Sequence, residues 1–146
     1  ERRLWSFSTN QVAAVTVTLA NKPTRFSRLP NATWRSVDNK ALDQIQSAML
    51  EETLYRMGVL SAVGWVAEGE PAMEITGIKP AANQLTAEVD TSDGPRQFRL
   101  EFGNKGPLGR TRVMTEQYGT PTIFSAPNEF TNVYQATLQI LGLAKP

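Results

Sequence analysis

Not one cysteine or histidine occurs among the 146 residues, and that absence limits how such a chain can hold itself together. Disulfides are ruled out, and so are most metal staples, which rely on thiolate or imidazole ligands. Stability must come from burial, and a chain of this length buries roughly two thirds of the surface its unfolded form exposes, usually in one core. Hydrophobic residues at 40% and charged residues at 20% match an ordinary globular domain. Function is constrained by the same absence, since no thiol nucleophile and no imidazole base is available. No cofactor is expected.

Fifteen basic and fourteen acidic residues leave a formal charge of +1, with the two signs interspersed. No basic stripe suits a polyanion, so nucleic acid is not an expected partner. No apolar run approaches the roughly 20 residues that span a bilayer, and the opening residues do not read as a signal peptide. The chain starts at Glu1. We therefore expect residues 1–146 to form a single domain taken from a longer protein, with any membrane attachment made through an N-terminal anchor upstream.

Alternation predicts a half-buried strand over Val12 to Leu19, with Val15, Val17 and Leu19 on one face and Thr16 and Thr18 on the other. Asn21-Lys22-Pro23 supplies a turn into a second strand over Thr24 to Leu29, and residues around Trp34 extend the set. Asp38 is the expected N-cap of a helix that buries Leu42, Ile45, Met49 and Leu54, leaves Lys40, Gln44 and Glu51 wet, and stops at Gly58. Val59 to Val66 then reads as extended. Leu85 to Asp90 and Arg96 to Phe102 form the clearest hairpin. A four-residue loop Ser92 to Pro95 would set Val89 against Phe98, Ala87 against Leu100 and Glu88 against Arg99, because Pro95 cannot donate the hydrogen bond that closes a tighter Asp-Gly turn. Arg110 to Tyr118 and Thr122 to Phe124 give another hairpin. A last helix follows Pro127, carries Phe130, Val133, Tyr134, Leu138 and Leu141 inward, and closes at Gly142. The fold class is α+β: two layers, a mostly antiparallel sheet of hairpins and two amphipathic helices, with a strand-strand-helix unit used twice.

Carboxylate pairs are the remaining route to acid–base chemistry, but Glu51 with Glu52, Glu68 with Glu70 and Glu88 with Asp90 all read as solvated faces or loop charges. Glu52 precedes Arg56 by one helical turn and pairs with it more naturally than with a substrate. The glycine-rich run Gly103 to Arg110 lacks the Lys-Ser/Thr step and following helix of a phosphate loop, and reads as a connection between antiparallel strands. Its cations Lys105 and Arg110, with Arg112 beyond, are the candidate contact for an anion or a protein partner. Trp5, in a basic aromatic lead-in, is the tryptophan expected to be exposed. Trp5 and Trp65 are the candidates to stack on a ligand, although Trp65, like Trp34, sits beside expected core elements where a tryptophan more often means packing.

The order of these elements, with Phe26, Arg28 and Leu29 closing a hairpin, then Trp34, an aspartate-led helix, Thr76-Gly77-Ile78-Lys79-Pro80 before the next hairpin and Gly103 near its end, resembles the bacterial family called domain of unknown function 4340. The resemblance runs from about Val12 to Leu141. It implies a domain held by an N-terminal membrane helix on the extracytoplasmic face, near auxiliary components of gliding-motility-like ABC transporters, and it brings no catalytic residues. The expected role is accordingly a non-enzymatic envelope domain that binds a protein partner or a second copy of itself through a sheet face or edge. A small-ligand or glycan-binding module is the alternative.

Overall fold

A computed structural model describes residues 2–3, 5–30, 33–36, 40–62, 64–68, 83–105, 111–117 and 120–144. The strands are β1 (Arg2–Arg3), β2 (Val12–Leu19), β3 (Lys22–Arg28), β4 (Trp34–Ser36), β5 (Ser61–Ala62), β6 (Gly64–Glu68), β7 (Gln84–Thr91), β8 (Gly94–Lys105), β9 (Thr111–Gln117) and β10 (Thr120–Ser125). A short 3-10 turn at Thr9–Gln11 precedes β2, and the helices are α1 (Gln44–Gly58) and α2 (Asn128–Ile140). Eight strands form one sheet in the order β4-β3-β2-β7-β8-β9-β10-β6, while β1 and β5 pair separately. Every pairing among the described residues is antiparallel. The α+β class and the antiparallel sheet agree with the expectation, and the order of elements does repeat: a strand meander followed by a helix occurs twice, and the two meanders meet where β2 lies beside β7.

Alternation sorts the sheet's two faces. Val15, Val17, Phe26, Leu85, Ala87, Val89, Leu100, Val113 and Phe124 point to the helices and join Leu50, Leu54, Met57, Phe130, Tyr134 and Leu138 in one core. The other face carries the rows Arg25–Thr16–Thr86–Arg99 and Ser27–Ala14–Glu88–Gln97 across β3, β2, β7 and β8, and Arg25 makes a bidentate pair with Glu88 at 3.2 Å over the intervening strand.

Both tight hairpins correct the expected turns. Ala20 and Asn21, at φ 50° and 66°, form a two-residue turn in which both residues are left-handed, and Leu19 pairs with Lys22; this is the backbone of a type I′ turn, whose twist matches the strands it joins. The β7–β8 hairpin turns through Ser92 and Asp93, with Thr91 opposite Gly94, so Ala87 meets Phe98, Leu85 meets Leu100 and Glu88 meets Gln97. Relative to the expected register the strands have slipped by two residues. The Asp93-Gly94 turn that Pro95 disfavours is indeed absent; the two-residue turn sits one residue earlier, so that Gly94, at φ 103°, occupies the closing position. Pro95 instead lies opposite Asp90, the next pair along, where an antiparallel ladder asks for no hydrogen bond between the two residues. The Thr91 hydroxyl completes the turn, donating to the Gly94 carbonyl at 2.6 Å and accepting from the Asp93 amide at 3.2 Å.

The first helix starts later than expected. Asp38 lies outside the described residues, and the N-cap is Asp43, whose carboxylate accepts from the Gln46 amide at 2.7 Å while the Gln46 side chain accepts from the Asp43 amide at 3.0 Å. This reciprocal capping box satisfies two amides that a helix start would otherwise leave open. The buried stripe is Ser47, Leu50, Thr53, Leu54 and Met57, and Ile45, expected inside, is 66% exposed. Gly58 ends α1 as expected, but for another reason: a Cβ there would lie 2.3 Å from the Phe7 carbonyl, so glycine is required by close approach of the N-terminal segment. At the end of α2, Gly142 adopts φ 75° as expected of a C′ glycine, and its amide bonds to Gln139 while that of Leu143 reaches Leu138. That pair of bonds is the Schellman ending. Val59 to Val66, expected as one extended run, is divided between β5 and β6.

Candidate functional site

The densest polar constellation gathers around Arg28 at the end of β3. Its Nε donates to the Val12 carbonyl at 2.8 Å, one terminal nitrogen to the Thr9 carbonyl at 2.7 Å and the other to Glu51 Oε1. The guanidinium lies over the Trp34 ring, 4.5 Å from its centroid, and the Trp34 indole donates to the same Glu51 oxygen at 3.0 Å. Glu51, expected on the wet face of the helix, is thus half-buried and committed. Five segments converge on this knot: the 3-10 turn, β2, β3, β4 and α1. Its charges are bonded to one another and to backbone, an arrangement that fixes position and leaves little capacity for a substrate.

The other carboxylates expected to be bland are placed separately. Glu52 pairs with Arg56 at 2.9 Å, as expected for residues one turn apart, while its neighbour Glu51 turns to Arg28. Glu88 is held by Arg25, and Asp90 is exposed, its backbone carbonyl accepting from the Gln11 side chain at 3.2 Å. Glu68 ends β6 opposite Thr122; Glu70 lies outside the described residues.

Of the candidate cations, Lys105 ends β8 opposite Thr111, and Arg112 follows Thr111 on β9. The hairpin therefore brings these two positions to the same end of the sheet, while Arg110 lies outside the described residues. Arg112 stands opposite Ser125, half-buried, with its Nε enclosed and lacking a hydrogen-bond partner. It shares the sheet face of Met114 and Ile123, two buried apolar residues on the side away from the helices.

Trp5 is not the exposed tryptophan it was expected to be. Its ring packs against Phe98 at 5.1 Å and Phe7 at 6.5 Å between centroids, and its indole donates to the Met57 carbonyl at 2.7 Å. With Phe7 stacked on Phe98 at 5.2 Å and its amide bonded to the Gly58 carbonyl, the lead-in acts as a strap over the end of α1. Trp65 lies on β6 opposite Phe124, and Trp34 is fully buried, as expected of a packing residue.

The helix layer presents a different surface. Thr53 and Thr137 meet hydroxyl to hydroxyl at 2.7 Å, and Gln46 reaches the Ile140 carbonyl at 3.4 Å, so α1 and α2 run antiparallel, side by side. Among the described residues, the exposed large apolar side chains are Ile45 and Tyr55 on α1, Val59 just after it and Ile140 on α2. Around them are exposed Ala48, Asn132, Gln135 and Gln139. Charge is scarce: Glu129 is the one charged residue of α2, and Glu51, Glu52 and Arg56, the charged residues of α1, are all paired. Sequence reasoning missed this surface because Ile45 was assigned to the core; the low charge of Asn128–Ile140 was the readable signal.

Within the core beneath α2, Tyr134 stacks on Phe102 at 5.1 Å and Phe130 at 6.1 Å, and its hydroxyl is buried without a hydrogen bond. Burial raises its pKa above the usual phenol value of 10.0. Comparison of the chain with family models, with curated proteins and with solved structures gave no match.

Proposed function

We propose that this chain is a non-enzymatic interaction domain that docks a protein partner on the outer surface of its helix layer. The observation that supports this reading is the exposure of Ile45 and Ile140 at one end of the helix layer and of Tyr55 and Val59 at the other, on a surface almost free of unpaired charge. Centres of protein interfaces are depleted in charge and enriched in apolar and aromatic groups, whereas the β3-β2-β7-β8 part of the opposite sheet face, with Arg25, Glu88 and Arg99, has the character of ordinary solvated surface. With the resemblance to domain of unknown function 4340 as premise, the role we propose is that of an auxiliary component of a transporter-like system on the extracytoplasmic side of a bacterial membrane. A glycan-stacking role draws little support from Trp5, whose ring is spent on Phe7 and Phe98.

Cross-linking in a detergent extract of the native envelope tests the reading. The wild-type domain is compared with Ile45→Glu/Tyr55→Glu and with a control, Thr86→Lys, on the opposite sheet face, after circular dichroism has shown that all three are folded. The expected result is a defined protein captured by the wild type and the control and lost with the helix-layer variant. Equal capture by all three, or capture lost only with the control, overturns the helix layer as the docking surface.

A further inference from the structure

We draw no further inference here: the strongest candidate, the exposed apolar ends of the helix layer at Ile45 and Ile140 and at Tyr55 and Val59, belongs to the docking surface already proposed, and nothing in the structure shows what covers it.

Discussion

Tyr134 keeps a hydroxyl in the core with no partner for it, and a buried unsatisfied polar group costs about 1–3 kcal/mol. Tyr134→Phe retains the ring stack on Phe102 and Phe130 while removing that group, so chemical denaturation should find the variant at least as stable as the wild type. The pH dependence sharpens the test. Because burial raises the phenol's pKa in the folded state, the native protein holds a proton that the unfolded chain releases above about pH 10. Stability is therefore full below that pH and falls above it, by up to about 1.4 kcal/mol per unit. Tyr134→Phe should flatten that alkaline slope; an unchanged slope would remove Tyr134 as its source. Two backbone positions make complementary cases. Gly58→Ala drives a methyl into the Phe7 carbonyl and should lower stability by about 1–3 kcal/mol, the usual cost of overpacking. Ala20 holds a left-handed conformation at φ 50° that a β-carbon disfavours by roughly 1–2 kcal/mol. Ala20→Asn with Asn21→Gly, suited to a type I′ turn, should raise the thermal midpoint.

At the scale of elements, the faces of strands were readable and their registers were not. In the β7–β8 hairpin a slip of two residues keeps Leu85, Ala87, Val89, Phe98 and Leu100 on the same side, because side-chain period is two. The apolar pattern therefore accepts either register, and what chooses between them is local turn chemistry at Thr91 and Gly94, which the expected four-residue loop left out. The helix start shows the same limit. Asp38 and Asp43 both suit an N-cap by residue type, and the Asp43-x-x-Gln46 spacing of a capping box, which the reading from Asp38 did not use, is the signal that separates them. Glu51 was unreadable for another reason, since nothing local announces that β3 will bring Arg28 to it. The two helices offer a test of interaction across elements. Thr137→Val alone strands the buried Thr53 hydroxyl and should cost about 1–3 kcal/mol, whereas after Thr53→Val the Thr137 hydroxyl still bonds the Val133 carbonyl at 2.8 Å and the Met49 carbonyl at 3.1 Å, so that loss should be smaller. The double substitution should cost clearly less than the sum, and additive losses in a double-mutant cycle would mean that the hydroxyl contact contributes nothing.

For the whole molecule, class and element order were legible because alternation and helical spacing persist over entire segments. The helix-layer surface was not, since its exposure depends on how far α1 is rotated about its axis, and that rotation is set by distant partners, with Glu51 held on Arg28 and Trp34 and Thr53 on Thr137. The basic trio divides similarly: a strand end and its neighbour carry Lys105 and Arg112, but sequence spacing could not foresee that Arg112 would enclose its Nε. Global stability should depend on the N-terminal strap, which docks Trp5 and Phe7 against Phe98 and Gly58. Phe7→Ala should cost about 3–5 kcal/mol, as for other buried aromatics, and should move near-ultraviolet and far-ultraviolet signals together if strap and sheet unfold as one unit. The contact between β2 and β7 has a further meaning in time. Each meander is built from neighbours in the chain, but residues 12–18 must find residues 84–89 before the two halves share a sheet. Among the strand pairings of the described residues that encounter closes the longest loop and has the least local help, so the seam is expected to form late, and a polypeptide arrested before it would display two half-sheets with their sticky central edges open to a neighbour.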